Sequence, residues 1–349
     1  GIDYMLRSAD GQPMDCLFAL PSCVPATDME TAGARLNADD LAPFMEHPRV
    51  VALAEMMNYP GVIFGDDGVM AKLALARRQR RAMDGHAPGV GGAHLHAYTA
   101  AGIASDHECT RAEEALEKLE LGMHIMVREG TCARNLDALF PVIDATTRRR
   151  MMWCTDDRHP HDLIEEGHVD AIIRMAVARG LDPLTAICMG TLNAADYFGI
   201  RDAGAVAPGR KANLVVFSDL ADIRAEQVYF MGRPVAENGQ LNPDIGRPAP
   251  VTVPPAMNLD PANLDFAVPA AGRRTALPLR GPPRGDGRGR DDRRRGRGPA
   301  ARGPVHPGDP RRGRRTADPG PAAHPPPRRG ARGAADRGSA GRAAGCRCR

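Results

Sequence analysis

The sequence predicts an α/β fold: a partial (β/α)₈ TIM-type barrel with a small accessory β-sheet segment and a disordered C-terminal tail. Strand-like and helix-like segments alternate along the body of the chain, which is typical of βα units that build a parallel sheet. Isolated metal-type side chains close four of the strand-like segments, namely Glu55, His86, His107 and Asp156. Because the C-terminal ends of barrel strands meet at one mouth, we expect these four side chains to converge.

The strand and helix signals follow one another in a regular order. Strand segments cover residues 16–20, 50–57, 102–107, 124–128 and 151–154. One further strand, between the second and third of these, ends at residues 84–86. Helical segments cover residues 69–81, 110–121, 133–146, 162–179 and 183–198. Thr110 with Glu113 predicts a capping box, and Pro183 suits a first helical turn. Since an eight-stranded barrel needs two strands more, we expect an N-terminally truncated fragment whose missing strands precede Gly1.

The chain is predicted to divide into three parts. Residues 1–200 hold the partial barrel without its first strands, residues 201–272 an accessory β segment, and residues 273–349 the tail. The middle part contains short apolar runs within 204–217 and 228–233, separated by turn-forming residues. This pattern favours a small sheet packed beside the barrel.

The net charge of +3 conceals two opposite regions. Residues 273–349 contain 22 Arg, no Lys and 6 Asp, which leaves 24 basic and 37 acidic residues for the rest of the chain. The tail has no aromatic residue, so it cannot bury enough surface to offset the entropy cost of ordering. We interpret it as an aberrant, out-of-frame translation of a GC-rich gene. Arg/Gly-rich segments can follow nucleic-acid backbones, but a nucleic-acid partner is not expected without aromatic side chains to stack on bases.

The cysteines and the N-terminal residues indicate the cellular compartment in which the protein is expected. Six of the eight Cys lie before residue 273, without a C-x-x-C pair, which indicates reduced thiols and not a disulfide framework. The chain opens without a charged leader or a long apolar segment. We therefore expect a cytoplasmic protein with no membrane partner. The sequence is also compatible with a homo-oligomer.

Six short motifs occur in order at the spacing of the strands of a barrel. The sequence Ala-Pro-Gly-Arg-Lys-Ala follows them at residues 207–212. The motifs are Pro21-Ser22-Cys23-Val24-Pro25-Ala26-Thr27, Ala54-Glu55-Met56-Met57-Asn58, Asp84-Gly85-His86-Ala87-Pro88-Gly89, Ser105-Asp106-His107-Glu108, Arg128-Glu129-Gly130 and Thr155-Asp156-Asp157-Arg158. Through these motifs, residues 20–235 resemble the adenine deaminase family of the amidohydrolase superfamily.

The resemblance implies a binuclear divalent metal centre and a purine base as the small-molecule substrate. Glu55 would be the bridging carboxylate, His86 and His107 imidazole ligands, and Asp156 the carboxylate ligand at the last strand. Carboxylate and imidazole suit Mn²⁺, the metal we expect first, and also Fe²⁺ or Zn²⁺. A metal-bound hydroxide would attack C6 of adenine and release hypoxanthine and ammonia. Asp156, with Glu55 as the second catalytic carboxylate, would transfer the proton to the leaving group.

Two further carboxylates, Glu108 and Glu129, are candidate substrate contacts at the same mouth. Structural roles stay open for each candidate residue. Glu55 could be a buried carboxylate paired with an Arg, His86 could end a strand, and Asp156 could cap the next helix. Glu108 and Glu129 could instead be hydrogen-bond partners of the ligands or charges at helix ends.

The chain departs from the family pattern in one respect. The family's first metal-binding motif, His-x-His, has no counterpart ahead of Glu55. His94-Leu95-His96 has the required spacing, but it follows the His86 strand, where the family has no ligands, so we interpret it as unrelated to metal binding.

The sequence also leaves alternatives to adenine deamination open. A different binuclear amidohydrolase, such as a cyclic amide hydrolase, would use the same metal pair, and the chain could also be an inactive truncated product. A zinc deaminase of the cytidine type is disfavoured, because its His-x-Glu and Pro-Cys-x-x-Cys motifs do not occur.

Overall fold

The computed structural model describes most of the body of the chain. The described ranges are 1–27, 29–246, 248–253 and 260–263. They all fall in the first of the two units into which the chain divides, Gly1–Leu264. The predicted tail at 273–349 lies outside the described residues, and the predicted boundaries after residues 200 and 272 stay predictions.

Strands and helices alternate through the first two hundred residues. The strands of the described ranges are β1 (Phe18–Leu20), β2 (Val50–Met56), β3 (Ala82–Gly85), β4 (Ser105–Asp106), β5 (His124–Arg128), β6 (Met151–Cys154), β7 (Leu214–Val216), β8 (Gln227–Phe230), β9 (Arg233–Glu237) and β10 (Gln240–Leu241). The helices are α1 (Ile2–Ser8), α2 (Ala38–Met45), α3 (Tyr59–Phe64), α4 (Asp67–Arg78), α5 (Gly92–Ala100), α6 (Ala112–Glu120), α7 (Leu136–Leu139), α8 (Pro160–Glu165), α9 (Val169–Ala178), α10 (Pro183–Gly190) and α11 (Leu192–Tyr197).

The first six strands form one parallel run in chain order. β1, β2 and β3 pair in parallel, as do β4, β5 and β6. Ala104, just before β4, donates its amide to the Met83 carbonyl of β3 at 3.1 Å and accepts from the His124 amide of β5 at 2.8 Å. This bonding joins the two sets of three strands. The predicted α/β fold with a partial (β/α)₈ barrel is therefore confirmed.

Apolar side chains of the strands pack against the helices in two clusters. The cluster at β2 and β3 includes Leu53 and Leu73, and the cluster at β5 and β6 includes Ile125 and Ile172. Strands covered in this way can be apolar along their whole length, which explains the Val-Val-Ala-Leu-Ala start of β2. The polar residues Glu55, His86 and His107 lie at or directly after the C-terminal ends of β2, β3 and β4.

Several predicted helices are shorter than their sequence patterns. The 133–146 segment forms only α7 and a 3₁₀ turn, because Pro141 lacks the amide hydrogen that would continue the helical bonding. The 162–179 segment breaks into α8 and α9 at Gly167, whose φ is +109°. The 183–198 segment breaks into α10 and α11 at Thr191, whose φ of −134° and ψ of −85° are not helical.

The predicted capping box at Thr110 is wrong. The helix α6 begins two residues later, and its N-cap is Arg111, which makes no side-chain cap bond. Arg111 is extended, with φ −138° and ψ 147°, so Thr110 lies outside the helix end. Burial of Glu114 and Lys118 on one face of α6 accompanies this register.

The later strands form a separate antiparallel sheet in the order β10-β9-β8-β7. It lies in the segment where the sequence predicts an accessory sheet. None of the helices in the described ranges has the length and apolar content that a bilayer crossing requires.

Candidate metal centre

Three of the predicted ligands come together at the strand ends. Glu55 is the sixth residue of β2, and His86 and His107 directly follow β3 and β4. Glu55 Oε2 lies 2.7 Å from His86 Nδ1 and 3.2 Å from His107 Nε2. One donor atom from each side chain falls within 4.8 Å of the other two. The structure thus brings a carboxylate and two imidazoles to one point.

The local sequence allows this approach. A Cβ at Gly85 would lie 2.0 Å from the Ser105 carbonyl oxygen, so only glycine lets the end of β3 lie against β4. The His86 amide donates to Tyr98 Oη at 2.9 Å, and that hydroxyl donates to the Met56 carbonyl at 3.0 Å. Tyr98, fully buried on α5, therefore ties the His86 backbone to the end of β2.

The charges of this cluster are strongly coupled. Hydrogen bonds from His107 and His86 hold the pKa of the Glu55 carboxyl far below its ordinary range. Burial alone would lower the pKa of His107, but the hydrogen bond and negative charge of Glu55 raise it above the ordinary value. Glu55 is therefore ionised, and a cation bound between the three side chains would place a positive charge beside it.

A second polar group adjoins the first. His107, Glu108 and Asp156 also offer donor atoms within 4.8 Å of one another. Arg128, at the end of β5, contacts Glu108 through both terminal nitrogens, with Nη2 3.1 Å from Oε2. Its Nη1 also donates to Asp156 Oδ2 at 2.6 Å. Arg128 thus links the fourth predicted ligand to Glu108.

The backbone places Asp156 in an unusual way. Asp156 follows β6 with φ +49°, the left-handed region that few residues other than glycine adopt. Aspartate adopts this region more readily than most residues, and here it turns the chain directly after the strand end. It is only about a third exposed and lies beside Arg128.

Arg128 is the site residue that the sequence analysis did not select. Its motif, Arg128-Glu129-Gly130, drew attention to the neighbouring carboxylate instead. The available signal was an arginine at the end of an apolar strand, where a buried guanidinium requires acidic partners. Arg128 is only 7% exposed.

Glu129, a predicted substrate contact, has a structural partner. Its Oε1 accepts the Leu136 amide at 2.7 Å, at the start of α7, and the residue is buried. Glu108, the other predicted contact, lies at the cluster, with Oε1 3.5 Å from His107 Nε2 and 3.7 Å from His86 Nδ1.

The His94-Leu95-His96 spacing does not contribute to the cluster. Both histidines are exposed on α5, and the His94 ring lies edge-on to Phe64 with 6.4 Å between centroids. Their position agrees with the interpretation that they are not ligands.

The donor set fits a divalent cation. Carboxylate oxygen and imidazole nitrogen are the ligands that Mn²⁺, Fe²⁺ and Zn²⁺ accept, and no cysteine sulfur belongs to the Glu55, His86 and His107 group. The adjacent carboxylates Glu108 and Asp156, held by Arg128, form a polar wall beside it. Such a site can polarise water and transfer protons next to a bound molecule.

Comparison with known proteins agrees with this geometry. The sequence model of the amidohydrolase family matches residues 1–255. The chain is 51% identical over 275 residues to an adenine deaminase of Desulfatibacillum aliphaticivorans, covering 77% of this chain and 48% of that protein. It is 47% identical over 248 residues to an adenine deaminase of Kosmotoga olearia, covering 71% of this chain and 43% of that protein. It is also 47% identical over 274 residues to one of Methanothrix thermoacetophila, covering 78% and 48%.

The chain spans about half the length of these curated relatives. The family match nevertheless includes every strand of the parallel run and all the residues of the candidate metal centre. Amidohydrolases are metal-dependent, and the cluster at the strand ends offers ligands of the right chemistry. By this match, the chain belongs to the amidohydrolase family.

Proposed function

We propose that this chain carries the core of an adenine deaminase, which hydrolyses adenine to hypoxanthine and ammonia. The observation that carries the proposal is the meeting of Glu55, His86 and His107 at the strand ends. The relatives named adenine deaminase, at 44–51% identity, support the choice of adenine as the substrate.

The proposed metal centre is binuclear, with Mn²⁺ as the first choice and Fe²⁺ or Zn²⁺ as alternatives. Glu55 would be the bridging carboxylate, His86 and His107 imidazole ligands, and Asp156 a further carboxylate ligand. When bound, the metal makes water a nucleophile at neutral pH. The ordered approach of the Glu55, His86 and His107 donor atoms, within 4.8 Å, supports this arrangement.

The protein's own groups would move the proton and orient the base. Asp156, whose Oδ2 accepts from Arg128 Nη1 at 2.6 Å, is proposed to accept the proton from water and deliver it to the leaving amine. Glu108, fixed by Arg128, would hydrogen-bond the purine edge. Glu129 would have to reach substrate through Oε2, since Oε1 accepts the Leu136 amide.

We also propose that the protein works in the cytoplasm. The six cysteines of the described residues are all free, which supports a reducing compartment. A purine base is the proposed partner, and none of the observations favours a nucleic acid.

Metal content and ammonia release test the proposal together. The purified chain is stripped with a chelator, reloaded with Mn²⁺, and offered adenine beside a hydantoin. We expect bound Mn²⁺ and at most slow ammonia release, from adenine alone, because the chain has no His-x-His motif ahead of Glu55. The double variant His86→Ala/His107→Ala should lose the metal. The matched control His94→Ala/His96→Ala, which alters two exposed histidines of α5, should keep it.

Two results would contradict the proposal. Equal Mn²⁺ content in both double variants would show that the metal binds elsewhere. Turnover of the hydantoin without turnover of adenine would assign the site to cyclic amide hydrolysis.

A further inference from the structure

A lysine with no exposed surface lies behind the candidate metal centre. Lys118, on α6, and Asp106, the last residue of β4, have fully buried side chains. Lys118 Nζ donates to Asp106 Oδ2 at 2.5 Å. We infer that Lys118 and Asp106 are positioning residues that hold the backbone segments of His86 and His107 in metal-binding geometry. The inference rests on the proposed metal centre and concerns residues that do not touch the metal.

Asp106 joins the two strand ends that carry the imidazoles. Its Oδ1 accepts the Ala87 amide at 3.1 Å and the Glu108 amide at 3.2 Å. Ala87 directly follows His86, and Glu108 directly follows His107. One carboxylate oxygen therefore fixes the spacing between the two histidine backbones.

Lys118 holds Asp106 and the His86 segment at the same time. Besides Asp106, its Nζ donates to the Ala87 carbonyl at 2.8 Å and to Glu114 Oε1 at 2.7 Å. Both backbone polar groups of Ala87 are thus bound, the amide by Asp106 and the carbonyl by Lys118.

Other side chains of α6 extend this attachment along the loop after β3. Glu114 Oε1 accepts the Gly89 amide at 2.7 Å, and Glu117 Oε1 accepts the Gly92 amide at 2.6 Å. The helix therefore binds the loop from residue 87 to residue 92 through three of its side chains. This loop begins at the His86 ligand.

The acidic groups here do not form a second metal site. Asp106, Cys109 and Glu114 offer donor atoms within 4.8 Å of one another. Lys118 Nζ already lies 2.5 Å, 3.6 Å and 2.7 Å from these three groups, so an ammonium occupies the position that a cation would need.

Stability alone is a poor reason to keep such a cluster. Burying one ammonium and two carboxylates costs desolvation free energy, and apolar residues of similar volume often stabilise a fold as well or better. Directional bonds to specific peptide groups give what apolar packing cannot, a fixed backbone position at the ligands. This is why we assign the cluster to positioning.

The test compares the chain with its Lys118→Met variant. Met removes the ammonium and keeps most of the side-chain volume. We expect Mn²⁺ affinity to fall about tenfold or more, the range found when groups that orient metal ligands are removed. We also expect the Ala87 and Glu108 amides of the metal-free chain to exchange hydrogen faster, relative to amides elsewhere in the fold.

Arg174→Met is the matched control. Arg174 is also largely buried and paired, with Nη1 2.5 Å from Asp170 Oδ2 and 2.8 Å from the Ile223 carbonyl, but it lies on α9. Its loss should lower the free energy of unfolding while Mn²⁺ affinity and exchange at Ala87 and Glu108 stay unchanged.

The outcomes separate this inference from the proposed function. If the unaltered chain binds no Mn²⁺, the proposed metal centre fails, and exchange at Ala87 and Glu108 still decides whether Lys118 positions the backbone. If folded Lys118→Met binds Mn²⁺ as tightly as the unaltered chain, the positioning role is overturned.

Should Lys118→Met fail to fold, Glu114→Gln replaces it, since it removes one charge partner of Lys118 and keeps the shape of the side chain. Faster exchange at Ala87 in that variant supports the inference, and unchanged exchange overturns it.

Discussion

Glu55 and Asp156 illustrate, at the scale of single residues, how two carboxylates at one mouth differ. Glu55 lies between two imidazoles, with 2.7 Å to His86 and 3.2 Å to His107. Asp156 pairs with Arg128 at 2.6 Å. The first is surrounded by metal-type donors and the second by a fixed cation, so their substitution should separate metal binding from proton transfer.

We expect Glu55→Gln to lower metal content as well as rate, because an amide is a poor bridge between two cations. Asp156→Asn should retain more metal and lose mainly kcat, by about 10² or more if the carboxylate carries the proton. Metal analysis and steady-state kinetics on a chain with measurable turnover check both. Equal metal loss in the two variants would show that these roles are wrongly divided.

Arg128 should control both acidic neighbours. Arg128→Met leaves Glu108 and Asp156 without their shared partner, so we expect kcat/KM to fall by about 10² or more. Arg128→Lys should recover little, because an ammonium cannot replace the two-pronged contact. Arg179→Met, which removes a surface pair with Asp137, is the control and should leave kcat/KM unchanged. An unchanged kcat/KM in Arg128→Met would show that Arg128 has no role in the reaction.

The raised pKa of His107 predicts a pH dependence. Metal binds neutral imidazole, so protons compete with Mn²⁺, and the competition should begin above the ordinary histidine value of 6.5. Affinity should therefore fall as the pH is lowered from about 8 to about 6. In the metal-free chain, protonated His107 stabilises the fold below the unfolded pKa, and this contribution is lost as the pH rises through the raised pKa.

NMR titration of the His107 ring in the metal-free chain checks the shift. The midpoint should lie above 6.5 and should fall in Glu55→Gln, which removes the charge that raises the pKa. A midpoint at or below 6.5 in the unaltered chain would contradict this explanation.

At the scale of elements, the contact between β3 and β4 decides whether the two imidazoles can meet. Gly85→Ala should lower the free energy of unfolding by at least about 2 kcal/mol, because the added Cβ would lie 2.0 Å from a backbone oxygen that cannot rotate away. Metal affinity should fall as well. Gly33→Ala, at a position where a Cβ meets nothing within 4 Å, is the control for denaturant unfolding. Similar unfolding midpoints for both variants would show that β3 and β4 can move apart to accommodate the added Cβ.

The helices show why element lengths are harder to predict than element order. β5 and β6 have the predicted bounds, since each contains a short apolar run whose position the sequence shows directly. The predicted helix over 183–198 is interrupted at Thr191, beside Gly190, which lies closely against Val169, Ile173 and Trp153 of other elements. A periodic apolar pattern cannot reveal such a contact.

At the scale of the whole molecule, the acidic body and the basic tail are expected to act independently. Deleting residues 273–349 from a chain with measurable turnover should leave metal content and KM for adenine unchanged, because the tail offers no aromatic to stack on a base and little to pack. Any nucleic-acid binding by the tail should decrease steeply with salt, since it depends on phosphate contacts. A rise in KM, or salt-resistant binding to one sequence, would show that the tail is a functional part of the protein.

The sequence by itself determined the order of the βα units and the polar residues that end them. Both follow from local rules, because apolar runs mark strands and the first polar residue marks the strand end. Glu55, His86, His107 and Asp156 could be selected in this way, and the motifs around them indicated the family.

Only the tertiary structure decided which side chains share a partner. The bridging position of Arg128, the contact of Glu129 with the Leu136 amide, and the burial of Lys118 against Asp106 all join residues from different elements. Such contacts depend on the register between strands and on how each helix lies over the sheet. These are set by packing across the whole core, so no local stretch of sequence contains them.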